Sequence, residues 1–263
     1  MARSRVTLDR RRIRGDALMW LFRSLGQCRV ECGGEEVPLG TPQNRVVLAM
    51  LVLHANEVVS AGRIFDELWD QCPPPSAKAQ LHSIVFRLRR LLGRTRIGTA
   101  RPGYVLRASP AELEVDLVRD DVEHARRVLA AGDVESGAAM LRSALKRWRG
   151  PVLPELRCAA HVAAGLEEFR MAVLEERVDA DLLLGRDADL VAELTGLVAE
   201  HPLRERLRAQ LMTALASSGR VADALDVYAA FRRTMVGELG VEPSNRLRAL
   251  HSRILRGEVA AGW

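Results

Sequence analysis

Between Ser76 and Arg107 the chain holds one lysine and seven arginines (Lys78, Arg87, Arg89, Arg90, Arg94, Arg96, Arg101 and Arg107) and no carboxylate. The order of residues inside this stretch restricts the fold more than its charge does. Leu81, Ile84, Val85, Leu88, Leu91 and Leu92 recur at i, i+3, i+4 and i+7, so Ser76–Leu92 is expected to be a helix with one apolar stripe. At about 100° per residue, Ala79, Ser83, Phe86 and Arg90 point away from that stripe, flanked by His82, Arg87 and Arg89. After Gly93, Arg96–Arg107 is expected to form a short hairpin turned at Arg101-Pro102-Gly103. Such a helix, buried along one side and basic along the other, fits a major groove, with the hairpin on neighbouring phosphates. The alternative is a solvated basic face. Those faces ordinarily carry interspersed Glu and Asp, and this one does not.

Upstream, residues 18–40 alternate and turn at Gly33-Gly34, which predicts a small antiparallel sheet. Thr41-Pro42 supplies an N-cap and a first-turn proline for a helix that buries Val46, Val47, Met50, Leu51 and Leu53. Ser60 caps a second helix with Ile64, Phe65 and Leu68 inward; Pro73-Pro74-Pro75 stops it, and Ser76 caps the third. Sheet, three helices and hairpin make a winged helix-turn-helix over 18–108, with an apolar core of its own and the third helix as its reader. Residues 1–17, rich in arginine, are expected to be a disordered basic arm. Past a junction at Ser109–Glu112 the pattern is helical throughout 112–257. Helices are predicted at 116–131, 134–147, 161–184, 188–199, 203–217, 220–237 and 243–256. Leu211, Leu215, Gly219, Ala224 and Tyr228 keep the spacing of a tetratricopeptide-like hairpin, though no strict 34-residue period exists. The expected fold class is mainly α with small β: a winged helix followed by an all-α, degenerate helical-repeat domain.

Charge divides with the fold. Residues 1–111 hold 18 cationic against 9 anionic side chains, and 112–263 hold 21 against 25, so one half is +9 and the other −4. That asymmetry suits DNA on one side and a protein partner on the other. No 18-residue apolar run predicts a membrane span, and a cytoplasmic location is expected. Cys28, Cys32, Cys72 and Cys158 show no ligand spacing, so a buried reduced thiol is expected rather than zinc or a disulfide. Neither lysine, Lys78 or Lys146, ends a Gly-x4-Gly-Lys-Ser/Thr loop, and no Gly-x-Ser-x-Gly or His-Glu-x-x-His occurs. Asp116, Asp120, Asp121 and Glu123 read as the solvated first turns of a helix rather than a metal or phosphoacceptor site. No cofactor, metal or catalytic residue is expected.

Several short blocks carry a family resemblance. Phe22–Gly26, Thr41–Arg45, Leu48–Leu51, Asn56–Ser60, Leu68-Trp69, Phe86–Arg90 and Arg101–Leu106 follow one another in the order of an OmpR-type winged helix. Leu145–Pro151, Leu194–Val198, His201–Leu207, Leu211–Leu215, Gly219-Arg220, Ala224–Tyr228 and Glu238–Gly240 resemble a bacterial transcriptional activation domain. Together, over residues 20 to 256, the chain resembles the Streptomyces antibiotic regulatory proteins. The resemblance implies a transcriptional activator that binds direct repeats near promoters, as a homodimer or side-by-side pair. It further implies recruitment of RNA polymerase holoenzyme and control of a secondary-metabolite cluster. It would place His82, Ser83, Phe86, Arg87 and Arg90 in the major groove, and Lys78, Arg89, Arg94, Arg96 and Arg101 on phosphates. It makes the Asp70–Pro75 loop (Asp70, Gln71, Pro73, Pro74) a candidate polymerase contact. The family usually has a Gln-like residue where His82 stands and a small Ser where Phe86 stands. Phe86 either meets a thymine methyl or is buried against the wing. A repressor whose helical half only dimerises, and a scaffold binding acidic protein or RNA, remain the alternatives.

Overall fold

A computed structural model describes residues 19–70 and 72–258. The chain divides into two compact units: residues up to Arg119 together with Arg147–Leu166, and Asp120–Lys146 together with Glu167 onward. The expected basic arm at 1–17 and the loop residue Gln71 lie outside the described residues.

The first unit begins with an antiparallel sheet of β1 (Trp20–Arg23), β2 (Arg29–Cys32) and β3 (Glu35–Glu36), with Phe22 opposite Val30. Gly33 and Gly34, at φ 60° and 85°, make the turn that the sequence marks. Helix α1 (Pro42–Leu53) is capped as expected, the Asn44 N–H donating to Thr41 Oγ1. Val47, Leu48, Met50 and Leu51 are buried, whereas Val46 and Leu53 are only half-buried. Ser60 caps α2 (Ala61–Trp69) through the Arg63 N–H. Two expectations fail here. Helix α2 ends on Asp70 in the left-handed region (φ 50°), ahead of the prolines. Ser76 makes no capping bond to α3 (Ala77–Leu92); its hydroxyl accepts instead from Gln80 Nε2 at 2.9 Å.

The wing has a third strand that the periodicity missed. Val59–Ser60 forms β4, and the second sheet runs β4-β6-β5, with β5 Ile97–Ala100 and β6 Gly103–Leu106. Ser60, opposite Gly103 in this ladder, both pairs with the wing and caps α2. The core gathers Ile64, Leu81, Ile84, Leu88, Ile97 and Leu106, all but fully buried. The apolar stripe read from the α3 period therefore faces this core.

This unit also takes in chain well beyond residue 108. Phe22 bridges to Leu113, and the Arg149 and Leu153 N–H groups donate to the Leu25 and Gly26 carbonyls, each at 2.9 Å. The Cys28 N–H donates to the Glu155 carboxylate at 2.7 Å. Val152, Leu153, Leu156 and Ala159 are buried. A fragment ending at 108 keeps the α1–α3 core but loses the Glu114, Arg149, Leu153 and Glu155 partners of the β1–β2 turn. Cys28 is buried, as expected of a structural thiol, but Cys72 and Cys158 are exposed free thiols.

The second unit is helical. It draws on α4 (Glu114–Ala130), α5 (Val134–Leu145), α6 (Ala160–Leu183), α7 (Asp187–Glu200), α8 (Glu205–Ser217), α9 (Val221–Thr234) and α10 (Asn245–Leu255). These lie within one helical turn of the expected bounds; α9 continues through a π-helical turn at Met235–Leu239. Gly185, Gly219 and Gly240, all at left-handed φ, close their helices. Val178, Leu194, Leu207, Met212, Ala224, Phe231 and Leu247 share one core. Asp181, nearly fully buried in this unit, accepts from Arg142 and Arg186 at 2.7 Å and from Arg177 at 3.2 Å. Burial opposes its charge, but the three guanidiniums hold its pKa below the usual aspartate value.

Candidate nucleic-acid interface

Helix α3 presents Lys78, Ala79, His82, Ser83, Phe86, Arg87 and Arg90 to solvent, while Leu81, Ile84, Val85, Leu88 and Leu92 are buried. The outward set is the one the 3.6-residue period selects. Phe86 is 59% exposed, which removes the alternative that it packs under the wing. Between α3 and the wing runs a cleft of about 640 Å³ lined by His82, Ser83, Phe86, Arg87, Thr99 and Tyr104. Lys78, Arg87, Arg90, Arg94 and Arg101 are exposed and have no carboxylate partner among the described residues.

Arg89 and Arg96 behave differently. Arg89 is half-buried; its Nε donates to Ile97 O and a terminal nitrogen to Thr99 Oγ1, both at 2.8 Å, beside the Tyr104 ring. It ties α3 to β5. Arg96 pairs with Glu112 at 2.6 Å and lies over the Trp20 ring. The hydrogen bond from Arg96, against a smaller effect of burial, draws the Glu112 pKa below the ordinary carboxylate range. Glu112 also accepts from the Ser109 N–H at 2.9 Å. The family resemblance implies phosphate contacts for both arginines; folded, each is engaged within the protein.

The Asp70–Pro75 loop is anchored at its start. Asp70 pairs with Arg157 at 2.6 Å, and Glu67 accepts the Arg157 and Cys158 N–H groups at 2.5 and 3.1 Å. Pro73 is exposed and Pro74 half-buried. Sequence reasoning missed these anchors, and it missed Glu114. The Glu114 carboxylate is fully buried and accepts from the Ser24 and Leu25 N–H groups at 2.9 and 3.0 Å. It is paired with Arg149 at 2.7 and 2.8 Å and with Arg23 at 3.2 Å. The available signal was the Leu145–Pro151 block, which contains Arg149, and the odd placement of Glu114 between Leu113 and Val115.

Among the described residues, no helix is long and apolar enough to cross a membrane, and no group of three or more His, Cys, Asp or Glu is arranged to hold a metal.

Residues 113–255 match the bacterial transcriptional activator domain, and residues 34–106 match the transcriptional regulatory protein C-terminal domain. DnrI, a regulatory protein of Streptomyces peucetius, is 39% identical over 228 residues, covering 81% of this chain and 84% of DnrI. The regulatory protein AfsR of Streptomyces griseus is 39% identical over 239 residues, 90% of this chain but 24% of AfsR. The transcriptional regulatory protein EmbR of Mycobacterium tuberculosis is 40% identical over 250 residues, 89% of this chain and 63% of EmbR. The chain thus spans less than two thirds of AfsR and of EmbR. A solved structure of Mycobacterium tuberculosis EmbR in complex with a low-affinity phosphopeptide superposes with a TM-score of 0.82. It is 36% identical and covers 91% of this chain and 65% of EmbR. With an OmpR-type winged helix joined to this helical domain, the chain belongs to the bacterial transcriptional activator domain family, in the arrangement of the Streptomyces antibiotic regulatory proteins.

Proposed function

We propose that the protein binds direct repeats near promoters as a side-by-side pair, recruits RNA polymerase holoenzyme and switches on a secondary-metabolite gene cluster in the cytoplasm. The observation that supports this most is the exposed face of α3, which carries cations without a single carboxylate to neutralise them. His82, Ser83, Phe86, Arg87 and Arg90 are assigned to base edges. Lys78, Arg94 and Arg101 are assigned to phosphates, Arg89 to holding the wing against α3, and Arg96 to its contacts with Glu112 and Trp20. Asp70, Pro73 and Pro74, with Gln71 beside them, form the proposed polymerase contact. The Arg157 and Glu67 anchors make the start of that loop a stiff surface.

Arg87→Ala is expected to cost about 1–3 kcal/mol on a selected duplex and much less on random DNA. Its exposed side chain is carried on backbone that buried Leu88 locks in place. If each protomer neutralises about five to seven phosphates, wild-type log K falls against log salt with a slope of roughly −5 to −6, and Arg87→Ala leaves the slope nearly unchanged. An equal loss on both DNAs would turn Arg87 into a phosphate contact. For activation, purified polymerase on a template bearing the selected site should be stimulated by the full chain. Promoter occupancy without stimulation would establish a repressor instead.

A further inference from the structure

Phe86 is the one aromatic among the large hydrophobic side chains left exposed in the described residues, and it lies in the middle of the carboxylate-free face. A phenyl ring held in water forgoes most of the stabilisation that burial would supply. Its setting narrows what covers it. Toward the helix N-terminus stand Ala79, which offers a methyl, and Ser83, whose hydroxyl is turned back to the Ala79 carbonyl at 3.0 Å. Ala79, Ser83 and Phe86 therefore present apolar surface, with His82, Arg87 and Arg90 as donors around it. A matching partner carries hydrogen-bond acceptors beside an apolar projection, inside a strongly negative field. The DNA major groove has both: purine N7 and O6 acceptors, and the methyl group at C5 of a pyrimidine. The minor groove shows no methyl, and phosphates give a phenyl ring nothing to pack on.

We propose that Phe86 determines operator specificity by packing on the C5 methyl of a pyrimidine, thymine or 5-methylcytosine, with a guanine alongside it read by Arg87. Small Ala79 and Ser83 let the helix approach closely enough for the ring to reach the methyl. This rests on the reading of α3 as the groove-facing element.

The test uses the full chain and a duplex selected from a random pool. Each thymine in turn is replaced by uracil, which deletes only the methyl, and each cytosine by 5-methylcytosine, which adds it. Burying one methyl corresponds to about a three- to five-fold change in affinity. At one or two positions wild-type binding should weaken by that factor with uracil, if thymine is the source, or strengthen by it with 5-methylcytosine. Phe86→Ala, a change at an exposed site, should melt as the wild type does and bind with the same salt slope, but show no response at those positions. Phe86→Leu should keep part of the response. Insensitivity of the wild type at every position, or an equal response in Phe86→Ala, overturns the assignment. Absence of any salt-dependent duplex binding removes the DNA reading itself. Phe86-dependent binding to phosphatidylglycerol vesicles, with no duplex selected, gives the ring to a lipid surface and overturns the proposal.

Discussion

Glu114→Ala should lower the free energy of unfolding by about 2–5 kcal/mol, because it strands two buried donors at once and removes the carboxylate that Arg149 and Arg23 share. The carboxylate is inaccessible to solvent, and Ser24 and Leu25, whose N–H groups it accepts, are themselves buried. Without it, the Ser24 and Leu25 donors have no replacement, since alanine leaves a cavity lined by polar hydrogen, whereas the Arg149 guanidinium keeps the Arg147 carbonyl and solvent. Glu114→Gln should do less damage, retaining one acceptor but not the charge. Urea unfolding read by tryptophan fluorescence measures the difference, and a loss below about 1 kcal/mol would show the carboxylate to be dispensable. The pH dependence has a definite sign. Burial alone would raise the Glu114 pKa, but Arg149 and the Leu25 and Ser24 N–H groups outweigh it and hold the value below the ordinary 4.5. A depressed folded-state pKa contributes stability that is complete above the unfolded value and is lost as pH falls through the folded one. The gap between wild type and Glu114→Gln should therefore stay constant from neutrality down to about pH 5 and close only in more acid solution.

Gly103→Ala is expected to cost about 3 kcal/mol or more and to detach the wing. A Cβ on residue 103 would stand 1.8 Å from the Val59 carbonyl oxygen and 2.8 Å from Ser60 Cα. Both obstacles are backbone, so no side-chain rotation relieves the overlap. The β4–β6 ladder must part, taking with it the Val59–Tyr104 pairing and the Ala61 N–H bond to Pro102 O at 3.2 Å. Ser60 also caps α2, so the disturbance extends to that helix. Thermal unfolding should show a lower midpoint, and duplex binding should weaken with the phosphate contacts proposed for the wing. A Gly103→Ala protein with wild-type melting and affinity would mean that the two strands need not touch.

What the sequence determined by itself is whatever neighbours in the chain decide. The α3 stripe follows from 3.6-residue periodicity, the Gly33-Gly34 turn from positive φ, and the Thr41 and Ser60 caps from a side chain reaching a backbone N–H three residues on. The helical bounds of the second unit followed in the same way. Ser76 failed because its backbone, at ψ 2°, is not in the extended conformation that lets the Thr41 and Ser60 side chains reach back to the helix, and its hydroxyl meets Gln80 instead. Tertiary structure decided everything that needed a distant partner. Arg89 and Arg96 are indistinguishable in sequence from Arg87 and Arg90, yet the wing folds back on Arg89, Glu112 and Trp20 take up Arg96, and the others are left in water. Gly103 looked like half of a turn, and only the arrival of Val59, more than forty residues upstream, makes its missing Cβ essential. Glu114 lies near Asp116 and Asp120 in one acidic run, and no local pattern separates the carboxylate that Arg149 buries from those that water solvates. The difference is a partner thirty-five residues away, fixed by the folded chain and by nothing in the neighbouring sequence.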